Sequence, residues 1–410
     1  VGSSLNTAYL LERLSQTLER LETLMAIFVS NRYLPRRILL LTGCFARAAA
    51  EKHSITRLWK QSSRLISRSI TQNAGDHGEH YITRDKKEFW AMFYSAAGGG
   101  VLIALMALFK IYLGSIIDDK VWKGVAEGLN YGLGFMVIFM LHFTVATKQP
   151  AMTAARFAEA VEKTPQGKSV NMKLAQLLVD VFRSQSIAVL GNVLIAMGLA
   201  ALIAFGYQYK TGEPLMNADQ IAYQLHSIDP FAGTLWFAAI AGVWLFCSGI
   251  ISGYFDNRSN YLNMRMRLTQ HPLLKKLMSE KSRVKFANYM HENYGSLIGN
   301  LCFGMLLGIT GVVGYLTHLP LDIRHVAFSS ANVGYIAVSG QFTYSLLLQC
   351  IGFVLLIGLV NLIVSFSLTL WVALRSLNAE IESWWPIWHE VCQIVKKRPL
   401  SLFLPVQLDK

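Results

Sequence analysis

The chain has 410 residues, five cysteines and a formal net charge of +13. It is 53% hydrophobic and only 15% charged, where a soluble domain carries about 25% charge. That balance excludes a disordered chain, a disulfide scaffold and an ordinary soluble enzyme, and points to a membrane protein with basic polar segments.

Residues 1–88 are expected to form a basic cytoplasmic helical region. Val1 stands where an initiator methionine would, so the chain reads as trimmed or partial. The first stretch is charged and lacks the compact apolar core of a signal peptide. Residues 5–28 read as an amphipathic helix, because Leu11, Leu14, Leu18, Leu21, Met25 and Phe28 repeat at three and four. That seam is expected to pack in a helical bundle, since two heptads are short for a dimerising coiled coil. A second helix over 36–71 carries eight Lys or Arg against one acid, Glu51. Its Arg36 and Arg37 are candidate contacts to anionic headgroups.

A helix needs roughly 20 mainly apolar residues to cross the hydrocarbon core. Six stretches qualify: 89–113, 125–146, 186–207, 232–255, 296–316 and 346–371. None of the ten prolines falls inside them, so proline gives no sign of the broken helices of many transporters. The expected fold is all-α, a polytopic integral membrane protein with six transmembrane helices over 89–371. Loops 147–185 and 256–295 are then cytoplasmic. The first of these is expected to hold two short helices, 157–162 and 174–182, broken around Pro165 and Gly167.

Charge orients the bundle. Residues 1–88, the loops 147–185 and 256–295, and the tail after Trp371 hold 33 Lys or Arg. The alternate loops 114–124, 208–231 and 317–341 hold four. Basic loops stay in the cytoplasm, so both termini are expected there. The 372–410 tail is cytoplasmic or interfacial. Its Trp384, Trp385 and Trp388, followed by Lys396, Lys397 and Arg398, suit the headgroup layer and anionic lipid.

Polar residues in or beside the spans are the site candidates. Lys110 closes the first span and Glu127 opens the second, so a tight hairpin would bring them to one depth. They either pair or snorkel to the interface. His142, Lys148, Asn192, Asn300 and Asn361 could line a polar path with them, or serve as interhelical hydrogen bonds worth about 1 kcal/mol. Gly124, Gly128 and Gly132 recur every four residues, as do Gly304 and Gly308. Such faces pack helices closely within the chain or between two copies, so a homodimer stays open. In the outward loop, His318, Asp322 and His325 either face water or weakly suggest a divalent-ion site. No Cys-x-x-Cys pair, nucleotide loop or hydrolase elbow occurs. No cofactor and no resident metal are expected.

Two stretches, 142–155 (HFTVATKQPAMTAA) and 322–332 (DIRHVAFSSAN), resemble segments of a bacterial membrane-protein family labelled site-specific recombinase, the gonococcal recombinase-like group. The resemblance runs over most of the chain and implies a bacterial inner membrane. The label implies DNA strand exchange. Tyrosine recombinases use a His-x-x-Arg element, and the nearest approach here is His53 with Arg57, one residue too far apart. The serine type uses Tyr-x-Arg-x-Ser; here Arg13 and Ser15 keep that spacing, but Tyr9 lies four residues before Arg13. The reading placed first is therefore non-enzymatic handling of a lipid or small envelope solute. A scaffold acting through the cytoplasmic helices comes second and recombination third. Membrane lipids are the expected partners; nucleic acid is not.

Overall fold

The computed structural model describes residues 82–404, apart from 84, 147–148, 163–167, 341, 378–380 and 382, with scattered residues between 10 and 46. It is all-helical, at 86% helix, and no strand occurs among the described residues. The helices are α1 (Lys86–Ile116), α2 (Lys120–Met140), α3 (Gln149–Glu162), α4 (Lys168–Thr211), α5 (Ala218–Ile228) and α6 (Thr234–Tyr261). After them come α7 (Met264–Gln270), α8 (Pro272–Leu277), α9 (Glu280–Thr317), α10 (Val326–Ala337), α11 (Tyr344–Leu377) and α12 (Trp385–Lys397).

Among the described residues, five helices are long and apolar enough to cross a membrane: α1, α4, α6, α9 and α11. The chain is a helical membrane protein. The second expected span lies on α2, which carries Lys120, Lys123 and Glu127 in its first eight residues and stops at Met140 rather than at 146. At 21 residues it is still about 31 Å long. The chain then turns at His142, whose φ is 58°. Residues 143–145 run without helix, and the Thr144 N–H donates to the Ser95 carbonyl at 3.1 Å.

Acidic or hydroxyl caps start α1, α2 and α9, satisfying orphan N–H groups of their first turns. Asp85 accepts from the Glu88 N–H, Asp119 from those of Val121 and Trp122, and Ser279 from that of Ser282. Residues 174–182 are not a separate short helix: they belong to the 44-residue α4, which runs on into the third span because no Gly or Pro interrupts them. The expected break around Pro165 and Gly167 lies outside the described residues.

Neighbour relations make a ring. α1 packs on α2, α2 on α9, α9 on α6, α6 on α11, and α4 on α1. Between α4 and α11 lies α10, which also touches α1. The ring closes tightly where side chains vanish. A Cβ on Gly304 would fall on the backbone of Gly132, and one on Gly308 on that of Gly128. The Gly124, Gly128 and Gly132 seam is thus used inside the chain, against α9.

Helix α10 overturns the expectation of a water-facing loop at 317–341. Val326, Ala327, Phe328, Ser329, Ser330 and Ala331 are all buried, as are Val333 to Ile336. Twelve residues are too few to cross a bilayer. They plug the ring instead, packing with Ile103, Phe135, Ala200, Leu245 and Phe303 in the main core. Leu11, Leu14, Leu18, Leu21 and Met25 are helical but exposed, at 53–61%. The expected packing of that seam into a bundle is not seen among the described residues.

Candidate functional site

Three residues, 117–119, join α1 to α2, so the two helices run antiparallel. Lys110 lies six residues before the end of α1 and Glu127 seven after the start of α2. Both are therefore about 10 Å below the hairpin tip. Lys110 Nζ is 3.3 Å from Glu127 Oε2. It also lies 5.6 Å from the ring centre of Tyr131, one turn further along α2.

A second ion pair faces the same space. The chain leaving α9 bends inward at His318, whose φ is 56°, and descends to α10. On this stretch Arg324 Nη1 donates to Asp322 Oδ2 at 2.6 Å. Arg324 Nε donates to the Ser227 carbonyl at 2.8 Å, which fixes the end of α5. Non-helical backbone buried in a bundle must satisfy its polar groups inside the protein. The Arg324 N–H donates to the Phe237 carbonyl at 3.2 Å. Asn361 Nδ2 donates to the Arg324 carbonyl at 3.0 Å, and Asn361 Oδ1 accepts from the Val326 N–H at 3.2 Å.

The two pairs line one cavity of about 460 Å³ between α1, α2, α5 and the 322–332 segment. That volume is within the range of small-molecule sites. Lys123 and Asp219 add one charge of each sign, so the lining carries three cations and three carboxylates. Tyr223, Gln224 and Asn332 supply neutral polar groups. α5 forms the mouth, started by a capping box in which Asn217 and Gln220 bond each other's backbone. Its Tyr223 is 58% exposed. The floor is aromatic: His325 packs among Phe135, Phe303 and Phe328, with ring centres 6.0, 5.8 and 5.7 Å away. The arrangement can hold a small polar molecule above a closed apolar floor.

The other sequence candidates divide. Asn192 bonds the Ala96 and Thr144 carbonyls at 2.6 and 2.9 Å and accepts from the Ala146 N–H at 2.8 Å, joining α1 and α4 to the turn after α2. Asn361 joins α11 to α6 through the Ala238 carbonyl at 2.7 Å. Asn300 bonds the Ser296 carbonyl of its own helix at 2.9 Å. The His142 carbonyl accepts from Ser95 Oγ at 3.0 Å. None of these four lines the cavity. Lys148, Arg36 and Arg37 lie outside the described residues. Lys396, Lys397 and Arg398 are exposed at the end of α12. That helix buries Ile387 and Val391 and leaves Trp385 and Trp388 exposed.

His318, Asp322 and His325 do not converge. His318 is exposed at the end of α9, Asp322 is bound by Arg324, and His325 is buried against phenylalanine. Among the described residues, no group of three His, Cys, Asp or Glu side chains could hold a metal ion.

Sequence reasoning missed Tyr131, Tyr223, Asp219 and Arg324 as lining residues. Arg324 did leave a trace, as the one Lys or Arg in 317–341. No curated protein and no solved structure matches the chain. A family model does, across residues 1–405. The chain belongs to the family described as site-specific recombinase.

Proposed function

We propose that this is a bacterial inner-membrane protein of six spans with both termini cytoplasmic, which binds a small polar solute or a lipid headgroup in its outward cavity. One observation carries the reading: two ion pairs are kept inside a ligand-sized cavity. Charges near membrane depth are expensive, and a bundle built only for packing would fill this volume with apolar side chains. The aromatic floor supports binding at one side, with passage requiring α10 to move. Exposed tryptophans and Lys396, Lys397 and Arg398 support anionic-lipid contact by α12. The test is equilibrium binding of a solute panel to the purified protein in nanodiscs. Lys110→Ala should abolish binding and Glu127→Ala should change its affinity while the protein stays folded; unchanged binding in both would remove the cavity from the function.

DNA recombination is the second reading, favoured by the family's name. Its substrate is a duplex, whose major groove alone is about 12 Å wide, so the cavity is not its site. The basic region before 82 would have to act. Strand cleavage by the full chain, lost in Ser15→Ala or in one Tyr variant, would put recombination first. A scaffold role draws on the exposed leucine seam between 11 and 21; deleting 1–70 should then abolish function and spare the bundle.

A further inference from the structure

The two ion pairs of the cavity are built in opposite senses. In the first, Lys110 is 36% exposed and Glu127 14%. In the second, Arg324 is 14% exposed and Asp322 36%. One pair therefore offers its cation to the cavity and holds its acid back. The other offers its acid and holds its cation back. Asp322 retains acceptor capacity, since among the described residues its Oδ1 takes the Ile323 N–H alone and its Oδ2 Arg324 alone.

A lone anion settling on Lys110 would compete with Glu127 and leave the offered carboxylate of Asp322 without a counter-charge from the ligand. A lone cation on Asp322 would fail in the mirror sense. A ligand bearing both charges gains a complementary contact at each offered group, where a lone ion gains only one. Resting on the reading that this cavity binds a ligand, we infer that the ligand is a zwitterion, its anionic group on Lys110 and its ammonium on Asp322. The cavity lies about 10 Å below the α1–α2 tip. At that depth the same chemistry comes from a free amino-acid-like solute or from a phosphoethanolamine headgroup.

Calorimetric titration of the full chain in phosphatidylglycerol nanodiscs tests this with five probes. L-alanine and glycerophosphoethanolamine carry both charges. Lactate and alaninol are alanine with one charge removed, and glucose has none. One or both zwitterions should bind at least about tenfold more tightly than the other three. Alanine as the tighter probe identifies a free solute; glycerophosphoethanolamine identifies a headgroup. Asp322→Asn should weaken the zwitterion and leave lactate unchanged or tighter, and Lys110→Met should do the same for alaninol. If lactate, alaninol or glucose binds the wild type as tightly as either zwitterion, the inference fails and the binding cavity stands. If none of the five binds, both fail.

Discussion

Asn361 ties α11 to the strand of chain that enters the bundle, its side chain bonding the Arg324 carbonyl at 3.0 Å and the Val326 N–H at 3.2 Å. A single amide so replaces the missing helical partners of backbone that has no regular structure around it. Asn361→Leu keeps the volume and removes the bonds. Each buried group left unpaired costs about 1–3 kcal/mol. The variant should melt at a clearly lower temperature in detergent, with α10 exchanging its amide protons faster than α9. An unchanged melt would mean that α10 is held by packing alone.

The α2–α9 contact rests on absent side chains. Gly304→Val forces a Cβ onto the Gly132 backbone. Overpacking of this kind costs about 1–3 kcal/mol. Gly352→Ala, with nothing within 4 Å of its Cβ, should be neutral or gain about 0.5–1 kcal/mol in helix propensity. Thermal melts of the two variants give opposite signs if the seam is intramolecular.

Lys110 and Glu127 should matter more for binding than for stability. Lys110 is 36% exposed, and ion pairs open to solvent contribute at most about 1 kcal/mol. Lys110→Met with Glu127→Gln should couple by no more than that in a double-mutant cycle of melts. Coupling of several kcal/mol would make the pair a structural strut.

Arg324 joins α5 to the entering segment through the Ser227 carbonyl at 2.8 Å while also holding Asp322. Lysine keeps the charge and loses the planar fork. Arg324→Lys should therefore raise hydrogen exchange in α5 and at 322–329 together. Exchange rising in one alone would break the proposed link between mouth and entering segment.

The proposed orientation has a direct readout. In a cysteine-free background, Tyr223→Cys should react with an impermeant maleimide in intact cells. Lys275→Cys should react only after permeabilisation. The reverse pattern would invert the protein.

The helical membrane class was legible in composition and in long apolar runs, because a bilayer imposes helix length and internal hydrogen bonding on any chain that crosses it. The hairpin of α1 and α2 was legible in part: the sequence put Lys110 and Glu127 at one depth but left pairing and snorkelling open, and an apparent loop over 114–124 hid the three-residue turn at 117–119. The 317–341 stretch was not. Its segment 326–337 is apolar but too short to read as a span, and hydropathy cannot tell a buried plug from an apolar loop. The end of α2 was likewise hidden, because 141–146 are apolar enough to continue a helix and stop only through contacts with Ser95 and Asn192. Linear order thus determined which segments are greasy, where basic charge collects and which residues are near in sequence. Only the tertiary structure decided that residue 324 meets residue 227, and that residue 361 holds residue 326. Those contacts depend on how the ring closes around α10, a packing outcome of many small complementary surfaces that no local pattern encodes.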